Sequence, residues 1–331
     1  MRLFKRAVCS AVFLFLLLVL LSILSWLVAP EKITLTDWVD GRDRNAFSVI
    51  NEPENSIDVL VMGDSESFTS ISPYRLWERQ KITSYVCGQT GQHVIEAYNM
   101  LKNAYRSQNP KLVILETNEL FTCAGMVEEG RLALTKMGER YLPVFYYHNR
   151  WKDLTGSDRP VVMMADEKSY KGFEIRKGCK PYDGGKYMKE GEMAQSISPS
   201  VSFYLGMIKR LCDEHGSQLL LVSIPSPKNW SCSKHQGVKQ YAQKNSIPFL
   251  DLNEAAASGE LSLDWQQDSY DHGDHLNLSG AEKVTDYLGN YLEEHFDFRG
   301  NSVSGMDSDV LDSWKQGLAD YKKAAGAGEN V

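Results

Sequence analysis

The chain has 331 residues, of which 43% are apolar and 11% aromatic, enough to pack a core and too many for a disordered polymer. Its 36 Lys and Arg stand against 43 Asp and Glu, a net charge of −7, so no basic field is available to hold a nucleic acid. Six cysteines without a CxxC spacing argue against a zinc site built on thiolates.

The N-terminal 30 residues differ from the rest. Arg2, Lys5 and Arg6 precede an uncharged stretch from Ala7 to Ala29. As a helix, it is long enough to cross a hydrocarbon core of roughly 30 Å. Trp26-Leu27-Val28-Ala29-Pro30 lacks the small-x-small pattern of a cleavage site, so a retained membrane anchor over residues 7–29 is predicted, not a cleaved leader. Basic residues before it, with Glu31, Asp37 and Asp40 after it, place the N-terminus in the cytoplasm and the remainder outside a single-pass cell membrane anchor. Cys9 reads as a small apolar residue in lipid. Residues 31–55 are polar, punctuated by Pro30 and Pro53, and read as a stalk.

Runs rich in Val, Ile and Leu at 57–62, 82–87, 112–117, 218–224 and 247–252 predict five strands. Helical patterns at 94–107, 202–214, 234–245 and 279–294 alternate with them, the last with Ser279 as its N-cap. Alternating β and α units imply an α/β fold: a three-layer, doubly wound parallel sheet within a domain spanning 56–298. About 100 residues separate the third and fourth strands, more than a crossover needs, so an insertion over about 122–200 is expected above the sheet. It holds an aromatic cluster from Tyr141 to Trp151, suited either to stacking on sugar rings or to fastening the insertion onto the sheet. Pro225, Pro227 and Trp230 follow the fourth strand toward the same cleft. The tail, 299–331, reads as a loose helix followed by disorder. In an external compartment, Cys179 is the candidate to pair with Cys232 or Cys123.

Two motifs carry chemistry. Gly63-Asp64-Ser65 ends the first strand and delivers a hydroxyl to the rim of the sheet, where α/β folds keep their sites. Asp271-His272-Gly273-Asp274-His275 lies far along the chain and supplies the acid and base that a weakly nucleophilic serine needs. The bland readings are that Ser65 closes a strand-to-helix turn and that His275 is a polar residue at a helix start. Asp271, His272, Asp274 and His275 also suggest a metal cluster, but near-consecutive ligands do not easily surround one ion.

Together these motifs resemble the SGNH (GDSL-type) hydrolase family over roughly residues 55–295. Gly63-Asp64-Ser65 is similar to its nucleophile block, and Asp271 to His275 followed by Leu276-Asn277-Leu278-Ser279-Gly280-Ala281 to its acid-base block. The resemblance implies a flavodoxin-like fold and acyl transfer through an acyl-serine on Ser65, with His275 as base and neither cofactor nor metal. The family places its Asp three residues before the His, where this chain has His272. Asp271 is the preferred acid if Gly273 lets the turn bulge, and Asp274 is the alternative. For the oxyanion, the Ser65 amide is joined by Gly91, with Gly88 second, in Cys87-Gly88-Gln89-Thr90-Gly91-Gln92, and by Asn118 after the third strand. Glu116 stands where the family has a glycine. Otherwise Gly91 is a turn former and Asn118 a strand cap.

The resemblance and the anchor imply an extracytoplasmic esterase or O-acyltransferase acting on acyl groups, acetyl foremost, of a cell-envelope glycan. The combination is similar to membrane-tethered SGNH proteins that act beside membrane-bound O-acyltransferases in alginate and teichoic acid modification. The rival expectation is a non-catalytic tethered scaffold that binds glycan or such a partner. Asn229-Trp230-Ser231 and Asn277-Leu278-Ser279 match glycosylation sequons, but a glycan two residues from the proposed base would obstruct it, and both are discounted.

Overall fold

The computed structural model describes residues 2–28, 44–122, scattered positions between 127 and 148, 169–189, 191–298 and 307–326. The chain divides into two compact units, Met1–Val39 with Ala124–Met163, and Asp40–Cys123 with Met164–Val331.

In the first unit, Arg2–Val28 is one continuous helix, and Phe4–Val28 is long and apolar enough to cross a membrane by length and composition. Its large apolar side chains, Phe13, Phe15 and Trp26 among them, are exposed. Part of the aromatic cluster, Val144–Tyr147, forms a short helix whose Val144 amide donates to Ser25 Oγ at 3.3 Å. That stretch leans on the apolar helix; residues 149–151 lie outside the described residues.

The second unit is built on five parallel strands, β1 (Val59–Gly63), β2 (Ser84–Gly88), β3 (Leu112–Glu116), β6 (Gln218–Ser223) and β7 (Phe249–Asp251), in the order β2-β1-β3-β6-β7. Each expected strand is present, with ends shifted by two residues or fewer. β7 is the shortest: Pro248 has no N–H to pair, and Asp251 already caps the helix Leu252–Ser258, its side chain accepting from the Asn253 and Glu254 amides. Side chains alternate between two buried faces. Leu60, Met62, Tyr85, Val113, Leu115 and Leu221 pack on one with Met100, Leu205 and Val238. Val59, Val61, Val86, Ile114 and Val222 pack on the other with Leu76, Val284 and Leu288. Helices therefore cover both faces, which makes the doubly wound three-layer architecture.

This strand order puts the topological switch between β1 and β3, where the chain reverses its direction of travel and leaves a crevice at the strands' carboxyl ends. Ser65 stands two residues beyond the end of β1, and Asn118 two residues beyond the end of β3. Gly63 is glycine because of crowding: a Cβ there would lie 2.5 Å from Glu116 Cβ on the neighbouring strand.

Three local expectations change, and one element is new. The helix Leu278–His295 is capped by Asn277, whose side chain accepts from the Gly280 amide, while Ser279 Oγ donates to Asp268. The tail is not loose over Ser308–Gly326: this helix buries Trp314 and Tyr321 against Tyr74, Trp77 and Tyr170, with ring centroids between 5.4 and 6.1 Å for the Tyr74–Trp314, Trp77–Trp314, Tyr170–Tyr321 and Tyr74–Tyr321 pairs. Cys179 and Cys232 are not bridged to each other, the Cys179 thiol donating to the Gln266 carbonyl at 3.1 Å; Cys123 lies outside the described residues. Finally, the end of the insertion is a hairpin of β4 (Ser169–Tyr170) and β5 (Phe173–Glu174). Its turn residues Lys171 and Gly172 have φ of 56° and 86°, as a tight hairpin requires. The Val86 amide of edge strand β2 donates to the Lys171 carbonyl at 3.0 Å, so the hairpin covers part of an otherwise open sheet edge.

Candidate active site

β1 runs into a six-residue helix, Ser65–Ser70, with Asp64 as its N-cap accepting from the Glu66 amide at 2.9 Å. The cap turns the chain sharply and leaves Ser65 half-buried at the crevice. Its Oγ lies 2.8 Å from His275 Nε2, although 210 residues separate the two. The other ring nitrogen, Nδ1, is 2.7 Å from Asp271 Oδ2, and Asp271 Oδ1 accepts from the His275 backbone amide at 2.7 Å. An ionised carboxylate only accepts, so the ring proton sits on Nδ1 and the Nε2 lone pair faces the Ser65 hydroxyl.

The one-residue displacement of the acid is accommodated by the backbone. His272 and Gly273 have consecutive left-handed φ values of 65° and 85°. That bulge carries Asp271 back over its own chain to the His275 amide and ring. Gly273 is doubly required, because a Cβ there would also lie 2.9 Å from the Tyr182 ring. Ser269 Oγ accepts from the Gly273 amide at 2.8 Å, and the Tyr270 amide donates to the His275 carbonyl at 3.0 Å, closing the loop. Burial works to raise the Asp271 carboxyl, but the two hydrogen bonds and charge of His275, with Lys228 beyond, outweigh it and leave it below the ordinary carboxylate value.

Asp274 is placed differently. Its Oδ1 is 3.8 Å from His275 Nδ1 and instead accepts from Asn229 Nδ2 at 2.6 Å. Of the two candidate acids, Asp271 is therefore the one bonded to the ring.

The remaining expected residues surround Ser65 unevenly. Asn118 Nδ2 donates to Asp64 Oδ2 at 2.9 Å, and its Oδ1 accepts from Lys234 Nζ at 3.0 Å. It thus reaches from the end of β3 to the residue beside Ser65, and does more than cap its strand, with one amide hydrogen committed to Asp64. Gly88 is a spacer: a Cβ would meet Ser67 Oγ at 2.5 Å and Phe68 at 3.0 Å, on the helix that carries Ser65. Gly91 has φ of 59° and open space where a Cβ would stand, the geometry of a turn former.

Sequence reasoning missed a buried polar group beneath this surface. Glu66, Glu116 and Glu119 are fully buried, and burial foremost, with the charges of neighbouring acids such as Asp64, holds all three well above the usual carboxylate range. Asp64 is raised by burial, partly opposed by its bonds from Glu66 and Asn118. Lys234, the cation among them, is lowered by burial against the opposing pull of Glu66, Glu116 and Asp64. Glu116 accepts from the Asn118 backbone amide at 2.6 Å. The only signals in the sequence were two acidic residues adjoining motifs already singled out. Ligand atoms of Asp64, Glu66 and Glu116, and of Asp271, Asp274 and His275, approach within 4.8 Å of one another. Each of those six groups is already engaged by a protein hydrogen bond: Asp64 from Glu66 and Asn118, Glu66 and Asp274 from Asn229, Glu116 from Asn118, and Asp271 with His275.

No family model matches the chain, and no curated protein matches it. Among solved structures, it is similar to a GDSL-like lipase from Bacteroides thetaiotaomicron, at 12% identity over 72% of this chain and 88% of that one, with a TM-score of 0.35. A lipase/acylhydrolase from Enterococcus faecalis is similar at 11% identity over 73% and 98%, TM-score 0.38. A Clostridium thermocellum family 3 carbohydrate esterase is similar at 13% identity over 72% and 96%, TM-score 0.35. Likenesses of this size carry no argument about chemistry, which rests on the side chains themselves.

Proposed function

We propose that this chain is an SGNH-type serine esterase or O-acyltransferase that forms an acyl-Ser65 intermediate and acts on acyl groups, acetyl foremost, of a cell-envelope glycan. The observation that carries the reading is the unbroken relay Asp271–His275–Ser65, with contacts of 2.7 and 2.8 Å between groups that no packing requirement brings together. His275 takes the Ser65 proton as Oγ attacks the ester carbonyl, then returns it to the leaving alkoxide. Asp271 holds the ring in the required tautomer and stabilises the imidazolium. The Ser65 amide, the second Asn118 amide hydrogen and the Gly91 turn are the oxyanion donors in this reading. The acyl group then passes to water or to a sugar hydroxyl.

The apolar helix supports a tethered enzyme whose N-terminus is cytoplasmic and whose active site faces outward, beside a polymer being assembled there and a membrane-bound O-acyltransferase partner. The test is labelling with a fluorophosphonate probe. Wild type is expected to react stoichiometrically and Ser65→Ala not at all; absence of labelling in wild type refutes the nucleophile and leaves a scaffold. With a chromogenic acetyl ester, a burst followed by turnover that accelerates with added glycan assigns transfer, and turnover indifferent to glycan assigns hydrolysis.

A further inference from the structure

The Ser65–His275 contact is shadowed by a second bridge, one residue along from each partner. Asn229 Nδ2 donates one hydrogen to Glu66 Oε1 at 2.7 Å and the other to Asp274 Oδ1 at 2.6 Å. Glu66 follows the serine and Asp274 precedes the histidine. The segment bearing Asn229 is itself laced to the histidine loop. The Lys228 amide donates to the Gly273 carbonyl at 3.1 Å, Ser226 Oγ donates to the Asp274 carbonyl at 2.9 Å, and Lys228 Nζ donates to the Asp271 carbonyl at 2.9 Å. With both amide hydrogens committed, Asn229 serves this bridge, which is a structural reason that Asn229-Trp230-Ser231 is no glycan acceptor.

The bridge has a chemical consequence. Two carboxylates flank a single ring N–H: Asp271 Oδ2 at 2.7 Å and Asp274 Oδ1 at 3.8 Å. Either can accept that proton, but only Asp271, anchored by the His275 amide, holds the ring with Nε2 on Ser65. Asp274 is about one ångström too far to compete, and its nearest donor is Asn229. We propose that Asn229 is a positioning residue that restrains Asp274 from the imidazole and thereby fixes the base toward the nucleophile. The proposal rests on the reading of Ser65 as nucleophile. When the Asn229 carboxamide is removed, Asp274 turns to the ring, shares or captures the Nδ1 proton, and draws Nε2 out of line with Ser65. The charged groups facing His275 are Asp271 and Asp274 on its own loop and Asp64 from the end of β1, with Lys228 on the segment after β6 acting on Asp271. A second carboxylate drawn onto the ring favours the imidazolium.

The test measures fluorophosphonate labelling rates of the full chain between pH 5 and 9, with melting temperatures, for wild type, Asn229→Ala, Asp274→Ala and the double variant. Asn229→Ala is expected to slow labelling by about 10- to 100-fold, as a misplacement near one ångström does, and to move the midpoint of the rate profile to higher pH. Removing Asp274 as well recovers most of the rate and returns the midpoint, although the melting temperature does not recover. If Asn229→Ala labels like wild type, or if the double variant stays as slow as the single one, the proposal is overturned while the Ser65 assignment stands. If wild type does not label, both fall. Should Asn229→Ala not fold, Asn229→Asp, which has the same size and no N–H to donate, is scored against its own double variant in the same way.

Discussion

Replacing Asp271 by Asn separates the electrostatic part of the relay from its shape. The new side chain is isosteric, so its oxygen can still accept from the His275 amide at the site where Oδ1 now sits at 2.7 Å. Its other atom becomes an NH2 group facing Nδ1, where Oδ2 now lies 2.7 Å away. An NH2 group donates, so the ring must present a lone pair at Nδ1 and carry its proton on Nε2, pointing at Ser65 Oγ 2.8 Å distant. The base is then occupied by the proton it should remove. The corresponding change in a well-studied serine protease, a worked case of the general triad, costs about 10⁴-fold, and a loss of about 10³- to 10⁴-fold is expected here, or about 4 to 5.5 kcal/mol of barrier. Asp274→Asn supplies the contrast: its carboxylate contacts Asn229 and stands 3.8 Å from the ring, so a loss below about tenfold is expected. The assay is kcat/KM on a chromogenic acetyl ester together with the labelling rate. Equal losses in the two variants, or Asp271→Asn within tenfold of wild type, would show that the acid has been misassigned. Stability should shift in a defined direction as well. Because the folded Asp271 carboxyl lies below its unfolded value, its contribution is fully present above the ordinary carboxylate range and is lost as pH falls through the lowered value. The deficit of Asp271→Asn is therefore expected at neutral pH and should vanish in acid.

Three further outcomes are expected. Glu119 is fully buried with neither carboxylate oxygen bonded and is held above its unfolded value, so wild-type stability falls as pH rises through that window; Glu119→Gln should flatten the fall and add on the order of 1–3 kcal/mol at pH 8, read from urea melts at pH 5 and pH 8. Gly273→Ala places a Cβ at a φ of 85° and 2.9 Å from the Tyr182 ring, so it should cost about 1–3 kcal/mol of stability and also lower kcat, since the same bulge aims Asp271; a stable variant with full activity would contradict the need for a glycine there. Trp314→Ala should cost about 3–5 kcal/mol through loss of the packing on Tyr74 and Trp77, measured as the shift in a denaturant midpoint, whereas a near-neutral result would mean that the C-terminal helix does not dock.

Much of the fold is legible because parallel strands covered on both faces are continuous apolar runs. The five such runs became the five strands, and the helices between them appeared within a few residues of their patterns. Other elements stayed hidden for identifiable reasons. The Ser308–Gly326 helix has a mixed composition, and only the spacing of Trp314 and Tyr321, one heptad apart on one face, reveals a docking side. The cap at Asn277 lost to Ser279 in the sequence because both types cap well, and the choice depends on which side chain Asp268 engages.

Within the site, Ser65 and His275 were legible from local chemistry: a buried strand must end at the sheet's rim, and a serine placed there needs a base. The choice between Asp271 and Asp274 was legible only in part, through Gly273, since both are within reach by spacing alone. It depends on left-handed backbone at His272 and Gly273 and on a carboxamide at Asn229 that occupies Asp274. The glycine lies within the motif, whereas Asn229 stands 45 residues before Asp274. The sequence by itself determined an apolar helix, a parallel α/β core, and a serine and a histidine at opposite ends of one domain, because these follow from periodicity and from residue type. Only the tertiary structure decided which acid joins them, and it placed Glu66, Glu116, Glu119 and Lys234 beneath Ser65, because hydrogen bonds between segments far apart in the chain exist only once the sheet has brought their ends to one edge.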